Sequence, residues 1–210
     1  MPLRFLVTAG PTREPWDPVR FLSNGSSGRM GFEIARAAAR RGHEVRLVAG
    51  PTNLPAPASV EVLRVTTALE MRRTVLAAWT HSDVLVMAAA VTDVRPAAPS
   101  SRKIKRGEIP RSIRLVRNPD ILAEAARRKG ARLLVGFALE DRLDVAEAAR
   151  KMAAKDCDLL VLNTRQNLGA ESGSAIVLRR NAAPVRLGRS PKRTLAARLV
   201  RLIEESRSSR

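Results

Sequence analysis

The sequence predicts an α/β protein on a Rossmann-like, doubly wound, mostly parallel sheet with an added β-ribbon or hairpin. Three observations predict it. Short apolar runs alternate with amphipathic stretches of helical period, the pattern of βαβ units. One run, Val84–Ala89, is wholly apolar, as expected of a strand covered on both faces. Several of these runs open into long loops rich in glycine, proline and polar side chains, where open α/β sheets carry their sites.

The elements follow in order. Leu3–Thr8 reads as the first buried strand, followed by a loop from Ala9 to about Ser26. Ser27–Arg41 is an amphipathic helix with Met30, Ile34 and Ala37 on one face, Ser26 or Ser27 as its cap and Gly42 at its end. Glu44–Ala49 and Val60–Val65 are strands. Thr67 and Glu70 form a capping box opening a helix to about Trp79. Residues 91–117 contain no clear helix, and Arg102–Arg106 is expected to pair with Ile113–Val116 as a ribbon. Asn118 is expected to cap a helix with Pro119 in its first turn. Leu133–Phe137 is a strand, Asp144–Lys155 a helix and Leu159–Leu162 a strand. Ala175–Leu178 and Val185–Leu187 form a late hairpin before a final helix opened at Ser190–Pro191. Residues 1–205 are read as one domain and 206–210 as a disordered tail.

Composition narrows the function classes. With 45% hydrophobic and 28% charged residues the chain can bury a core. Its single cysteine, Cys157, cannot form an internal disulfide; it reads as a buried small residue in a reducing compartment. No apolar run spans a bilayer and the N-terminus lacks a signal-peptide core, so a cytoplasmic protein with no membrane partner is expected. The net charge of +18 comes from arginines scattered along the chain, and aromatics are 3% with no tyrosine. Stacking platforms for single strands are therefore missing, and nucleic acid is not the expected partner. Lysine is confined to positions 103, 105, 129, 151, 155 and 192. Where arginine is favoured, a retained lysine hints at a need for a compact, flexible ammonium.

Four post-strand segments carry the chemistry. The first ends Gly25-x-x-Gly28-x-x-Gly31 and opens a helix, which suits an anion at backbone amides. It lies too far beyond its strand for the tight dinucleotide turn, so an NAD(P)-linked oxidoreductase is the weaker reading. The second places Asp93 at the end of the apolar strand, where a carboxylate could hold Mg²⁺ against phosphates. Lys103 and Lys105 follow, alternating on one face if the segment is a strand. The third is Asn118–Leu122, where a helix start offers free amides. The fourth is Lys151 and Lys155, one helical turn apart, with Glu147 available to pair with Lys151. Together these point to an enzyme of a nucleoside triphosphate. A basic polyanion binder remains the other alternative, supported by charge alone.

The stretches TAGPTREPWDPVRFLSNGSSGRMG, AAAVTDVRP, KIKR, RNPDILA, VGFALE and DLLVLN occur in one order over about 1–175. In this they resemble phosphopantothenate–cysteine ligases, the C-terminal half of the bacterial bifunctional coenzyme A biosynthesis flavoprotein. The resemblance implies an amide made from 4′-phosphopantothenate and cysteine through an acyl-cytidylate, with CTP as co-substrate more readily than ATP. It implies Lys103 at the first step, Asn24 at the second and Arg20 on a substrate anion. Met87, Ala88, Ala89, Asp93, Pro119, Asp120, Ile121, Leu122, Phe137, Lys151 and Lys155 would contact nucleotide, with Asp93 also near Mg²⁺. Gly10, Ser23, Gly25, Ser26, Ser27 and Gly28 would form the phosphopantothenate loop. It further implies no flavin in this chain, a separate decarboxylase protein in the pathway, and a homodimer. Gly25, Thr92, Leu139, Asp141 and Arg106 depart from the family's usual residues.

Overall fold

A computed structural model describes residues 1–208. Its centre is an eight-stranded sheet in the order β12-β11-β10-β9-β6-β1-β4-β5. The strands are β1 (Arg4–Ala9), β4 (Glu44–Ala49), β5 (Glu61–Arg64), β6 (Val84–Met87), β9 (Leu133–Glu140), β10 (Leu159–Thr164), β11 (Ser172–Arg179) and β12 (Ala182–Pro191). Six run parallel; β11 and β12 are antiparallel at one edge. Two two-stranded ribbons lie apart from it: β2 (Arg13–Pro15) with β3 (Phe21–Ser23), and β7 (Val94–Pro96) with β8 (Leu115–Arg117).

Alternation along β1 builds both sides of the core. Phe5, Val7 and Ala9 pack in the layer of α1 (Arg29–Arg40) and α5 (Lys192–Ser208). Leu6 points the other way, into the layer of α2 (Ala68–Trp79) and α3 (Ile121–Ala126). The fifth helix, α4 (Val145–Ala154), covers β10 and β11 through Ala148 and Met152. Trp79 is fully buried, and its indole N–H donates to the carbonyl of Ala125, tying α2 to α3. Among the described residues no helix is long and apolar enough to cross a membrane.

The α/β reading holds, as do the capping box at Thr67 and the late hairpin. Four local expectations do not. The 9–26 segment is no plain loop but contains the β2–β3 ribbon. The second ribbon pairs Val94–Pro96 with Leu115–Arg117; Arg102–Arg106 is not a strand, so Lys103 and Lys105 share no strand face. The α3 cap is Asp120, whose carboxylate accepts from the Ala123 N–H at 2.9 Å. Pro119 disfavours helical backbone at Asn118, leaving the next acid to cap. Finally, α5 runs on through 206–208, and residues 209–210 of the expected tail lie outside the described chain.

Candidate active site

The chain leaves β1 for β4 and β5 on one side of the sheet, then crosses to β6, β9 and β10 on the other. Neighbouring parallel strands that diverge in this way open a crevice at their carboxyl ends. Two cavities fill that crevice, and they share Ala89 and Phe137 as a common wall.

The larger, about 620 Å³, lies over Met87 between the Thr92–Val94 turn and the Arg117–Leu122 segment. It gathers Met87, Ala89, Asp93, Pro119, Asp120, Ile121, Leu122 and Phe137 from three separate stretches of chain. Asn118 staples its two walls. Its Nδ2 donates to the Thr92 carbonyl at 2.8 Å, and its backbone N–H donates to the Asp93 carbonyl at 2.8 Å. Behind the wall a buried polar cluster fixes Thr92, whose hydroxyl donates to Glu14 Oε1 at 3.0 Å and lies 3.0 Å from the Thr12 hydroxyl. Glu14, 1% exposed, also accepts from the Ala68 N–H at 2.8 Å. Glu14 and Thr12 carried no sequence signal, because nothing local says that a glutamate in a proline-rich stretch turns inward.

Lys155 reaches the cavity rim through an ion pair with Asp120, and Lys151 pairs with Glu140 at the end of β9. Glu147, the expected partner of Lys151, is a looser one at 3.8 Å. Burial raises the Asp120 pKa, but the Lys155 ammonium and the Ala123 N–H outweigh it and hold the carboxyl below its ordinary range. Asp93 is exposed on the cavity wall. Among the described residues no group of three or more acids, histidines or cysteines could hold a metal. A divalent ion beside Asp93 would therefore take most of its oxygens from a ligand's phosphates and water, as Mg²⁺ commonly does.

The smaller cavity, about 170 Å³, lies between the start of α1 and the ends of β6, β9 and β10. Ser26, Ser27 and Gly28 line it, with Ala88, Ala89 and Lys192. Gly28 caps α1 in the left-handed region at φ 75°, with no side-chain cap, so neither Ser26 nor Ser27 caps the helix end. A Cβ at Gly28 would lie 3.0 Å from the Gly10 backbone, which brings the two glycine turns into contact. Ser23 is turned away, its hydroxyl donating to the Thr12 carbonyl at 2.7 Å. Gly25 faces open space. Asn24 opens on a third cavity, about 590 Å³, shared with Ser23, Gly25, Ser26 and Ser27. Its Nδ2 donates to the carbonyls of Ala90 at 3.3 Å and Val91 at 3.1 Å, which belong to the walls of the smaller and the larger cavity. The glycines open α1 only after the β2–β3 ribbon, unlike a dinucleotide turn.

Of the residues singled out from sequence, Gly10, Ser23, Asn24, Gly25, Lys151 and Lys155 line neither cavity, and neither do Arg20 and Lys103. Arg20 is committed to Asp17, Nε to Oδ2 at 3.0 Å, and stacks 4.5 Å above the Trp16 ring. Lys103 is exposed on the excursion that joins β7 to β8. The two are nevertheless linked. Arg20 Nη2 donates to the Ile104 carbonyl at 2.7 Å, and the Ile104 N–H donates to Asp17 Oδ2 at 3.2 Å. Cys157 is fully buried against Gly136 of β9, and burial pushes its thiol up to about 12, away from the reactive thiolate.

A family model described as the DNA/pantothenate metabolism flavoprotein C-terminal domain matches residues 2–206. The coenzyme A biosynthesis bifunctional protein CoaBC of Mycobacterium tuberculosis (strain ATCC 25618 / H37Rv) is 49% identical over 172 residues, covering 76% of this chain and 41% of that protein. A prokaryotic protein named cysteine/cysteine sulfinic acid decarboxylase is 45% identical over 172 residues, covering 81% of this chain and 48% of its own length. The chain thus spans about half the length, or less, of these curated relatives. Among solved structures, the C-terminal domain of a coenzyme A biosynthesis bifunctional protein CoaBC superposes with a TM-score of 0.86 at 34% identity, covering 99% of this chain and 97% of that one.

Proposed function

The chain belongs to the DNA/pantothenate metabolism flavoprotein C-terminal domain family, and from that premise we propose that it is a phosphopantothenate–cysteine ligase. The observation that carries the reading is the pair of cavities meeting at Ala89 and Phe137. A ligase of this kind must bring a carboxylate and the α-phosphorus of a nucleotide together from two separate binding pockets, and one shared wall does so.

In this reading the larger cavity takes CTP. Met87, Ala89 and Phe137 receive the base and ribose, and the Pro119–Leu122 turn with Lys151 and Lys155 receives the phosphates; Ala88, expected on the nucleotide, faces the smaller cavity. Asp93 would hold Mg²⁺, which spreads charge over the triphosphate when bound. The smaller cavity takes 4′-phosphopantothenate at Ser26, Ser27 and Gly28, with Gly10 packed against Gly28 behind them.

A carboxylate oxygen attacks the α-phosphorus, the bond to pyrophosphate breaks, and an acyl-cytidylate forms. Lys103 stabilises the charge of this step when its excursion folds over the cleft about the Asp17–Arg20 latch, and Arg20, held there, then meets a substrate anion. The cysteine amine then attacks the acyl carbon, CMP leaves with the bonding pair, and the amine proton passes to solvent. Asn24, beside the seam, steadies the oxygen charge of this second step. Both steps are redox-neutral and call on no flavin. We further propose a homodimer.

The test is a coupled pyrophosphate assay with 4′-phosphopantothenate, cysteine, Mg²⁺ and either CTP or ATP. Release that requires the acyl substrate, and is faster with CTP, is expected. No release with either nucleotide would sink the reading.

A further inference from the structure

Two lysines in this chain are equally buried, each 7% exposed, and their surroundings differ. Lys129 is compensated by Asp156 at 3.1 Å and Asp158 at 3.2 Å. Lys192 has no carboxylate partner among the described residues. Its Nζ donates to the Asn167 carbonyl at 3.0 Å, which leaves two of three N–H groups to spend. Arg29, itself paired with the exposed Glu171 at 2.7 Å, stands near, and burial together with that like charge pushes the Lys192 pKa down. A buried charge is normally paired, so a cation with no counter-charge inside a cavity wall marks the place of an anion.

The rest of the smaller cavity agrees. No acidic side chain lines it. The start of α1, a twelve-residue helix, offers the Met30 and Gly31 amides, while the Ser26 and Ser27 hydroxyls accept from those of Gly28 and Arg29. Asn163 also lines it, and its Oδ1, buried with no hydrogen-bond partner in the protein, is left to accept from an N–H or O–H of the same substrate away from its phosphate.

We propose that Lys192 is the counter-charge for the phosphomonoester of the acyl substrate, binding it between Arg29 and the start of α1, and that it makes the enzyme select phosphorylated over unphosphorylated substrate. The assignment rests on the ligase reading and sets the substrate's direction. The phosphate lies toward Lys192 and the carboxylate toward Ala89 and Phe137, where the nucleotide cavity begins. A dianionic phosphate matches two cations, whereas the substrate carboxylate is needed at the seam.

The experiment compares wild type with Lys192→Met, using phosphopantothenate and pantothenate as alternative substrates at saturating CTP and cysteine. The expected result is a KM for phosphopantothenate raised roughly 30-fold or more, as for a lost charged hydrogen bond. The KM for CTP should not change, and the preference for the phosphorylated substrate should shrink in proportion. A variant that keeps that preference within twofold, or loses CTP affinity equally, overturns the proposal. Should Lys192→Met fail to fold, Asn163→Asp carries the same test, because a carboxylate in the cavity must repel the phosphate. If wild type releases no pyrophosphate, the ligase reading fails on its own. Equilibrium dialysis with inorganic phosphate then decides the anion site: binding lost in Lys192→Met supports it, and equal binding by both proteins ends it.

Discussion

Arg20 Nη2 donates to the Ile104 carbonyl at 2.7 Å, so an arginine of the first post-strand segment holds the residue next to Lys103. Asp17 completes the latch from below. Its carboxylate takes Arg20 and the N–H groups of Val19, Arg20 and Ile104. Burial alone would raise the Asp17 pKa, but Arg20 and these three amides hold the carboxyl well below the usual range. The folded value is depressed, so the latch is intact above the ordinary aspartate pKa of about 3.9 and opens only as pH falls below it.

Asp17→Asn is therefore expected to free the Lys103 excursion. Pyrophosphate release should fall about 10- to 100-fold, the scale of a mispositioned catalytic group. Hydrogen exchange at Ile104 should quicken while that of the sheet stays unchanged. Unaltered exchange at Ile104 would show that the latch does not hold the segment.

Asn24 and Lys103 are assigned to different steps and should fail differently. Lys103→Ala should block pyrophosphate release itself. Asn24→Ala should still release pyrophosphate in a first turnover and accumulate the acyl-nucleotide, seen by quenched-flow chromatography. If both variants stall at the same intermediate, the division of roles is wrong.

Gly31 seats α1 on the end of β1. A Cβ there would lie 2.5 Å from the Ala9 Cβ and 2.7 Å from the Thr8 carbonyl oxygen. Gly31→Ala must push the helix away, at about 1–3 kcal/mol for overpacking. Thermal unfolding should show the loss as a lower midpoint, and phosphopantothenate affinity should fall with it. A midpoint equal to wild type would mean that α1 can shift without cost.

Asp83 anchors the bottom of β1, accepting from Arg4 Nη2 at 2.8 Å and from the Arg4 N–H at 2.9 Å. The Arg4 hydrogen bond outweighs burial and lowers its pKa. Because the folded pKa is depressed, its stabilisation is fully present above about pH 4 and is lost as pH falls through the folded value. Asp83→Asn should lower the melting temperature at pH 7 by about 2–4 °C, and the gap to wild type should close toward pH 2. A gap that is constant with pH would show that the pair adds nothing electrostatic.

The sequence by itself determined the α/β layering, the capping box at Thr67, the hairpin of β11 and β12 and the set of post-strand segments that carry polar groups. Each of these depends on periodicity, or on a residue's relation to chain neighbours a few positions away. The anion-loop serines were legible as a helix start, yet whether they cap the helix or leave its amides free was not. Only the tertiary structure decided that Glu14 turns inward to Thr92, that Arg20 is spent on Asp17 and Ile104, and that Lys192 is buried without an acid while Lys129 has two. Those facts, the neighbouring Asp17–Arg20 pair aside, join residues tens of positions apart, and a side chain's partner across such a separation is set by packing of the whole sheet, which no local pattern records. The two cavities are of the same kind: Ala89 and Phe137 become one wall only when β6 and β9 lie side by side.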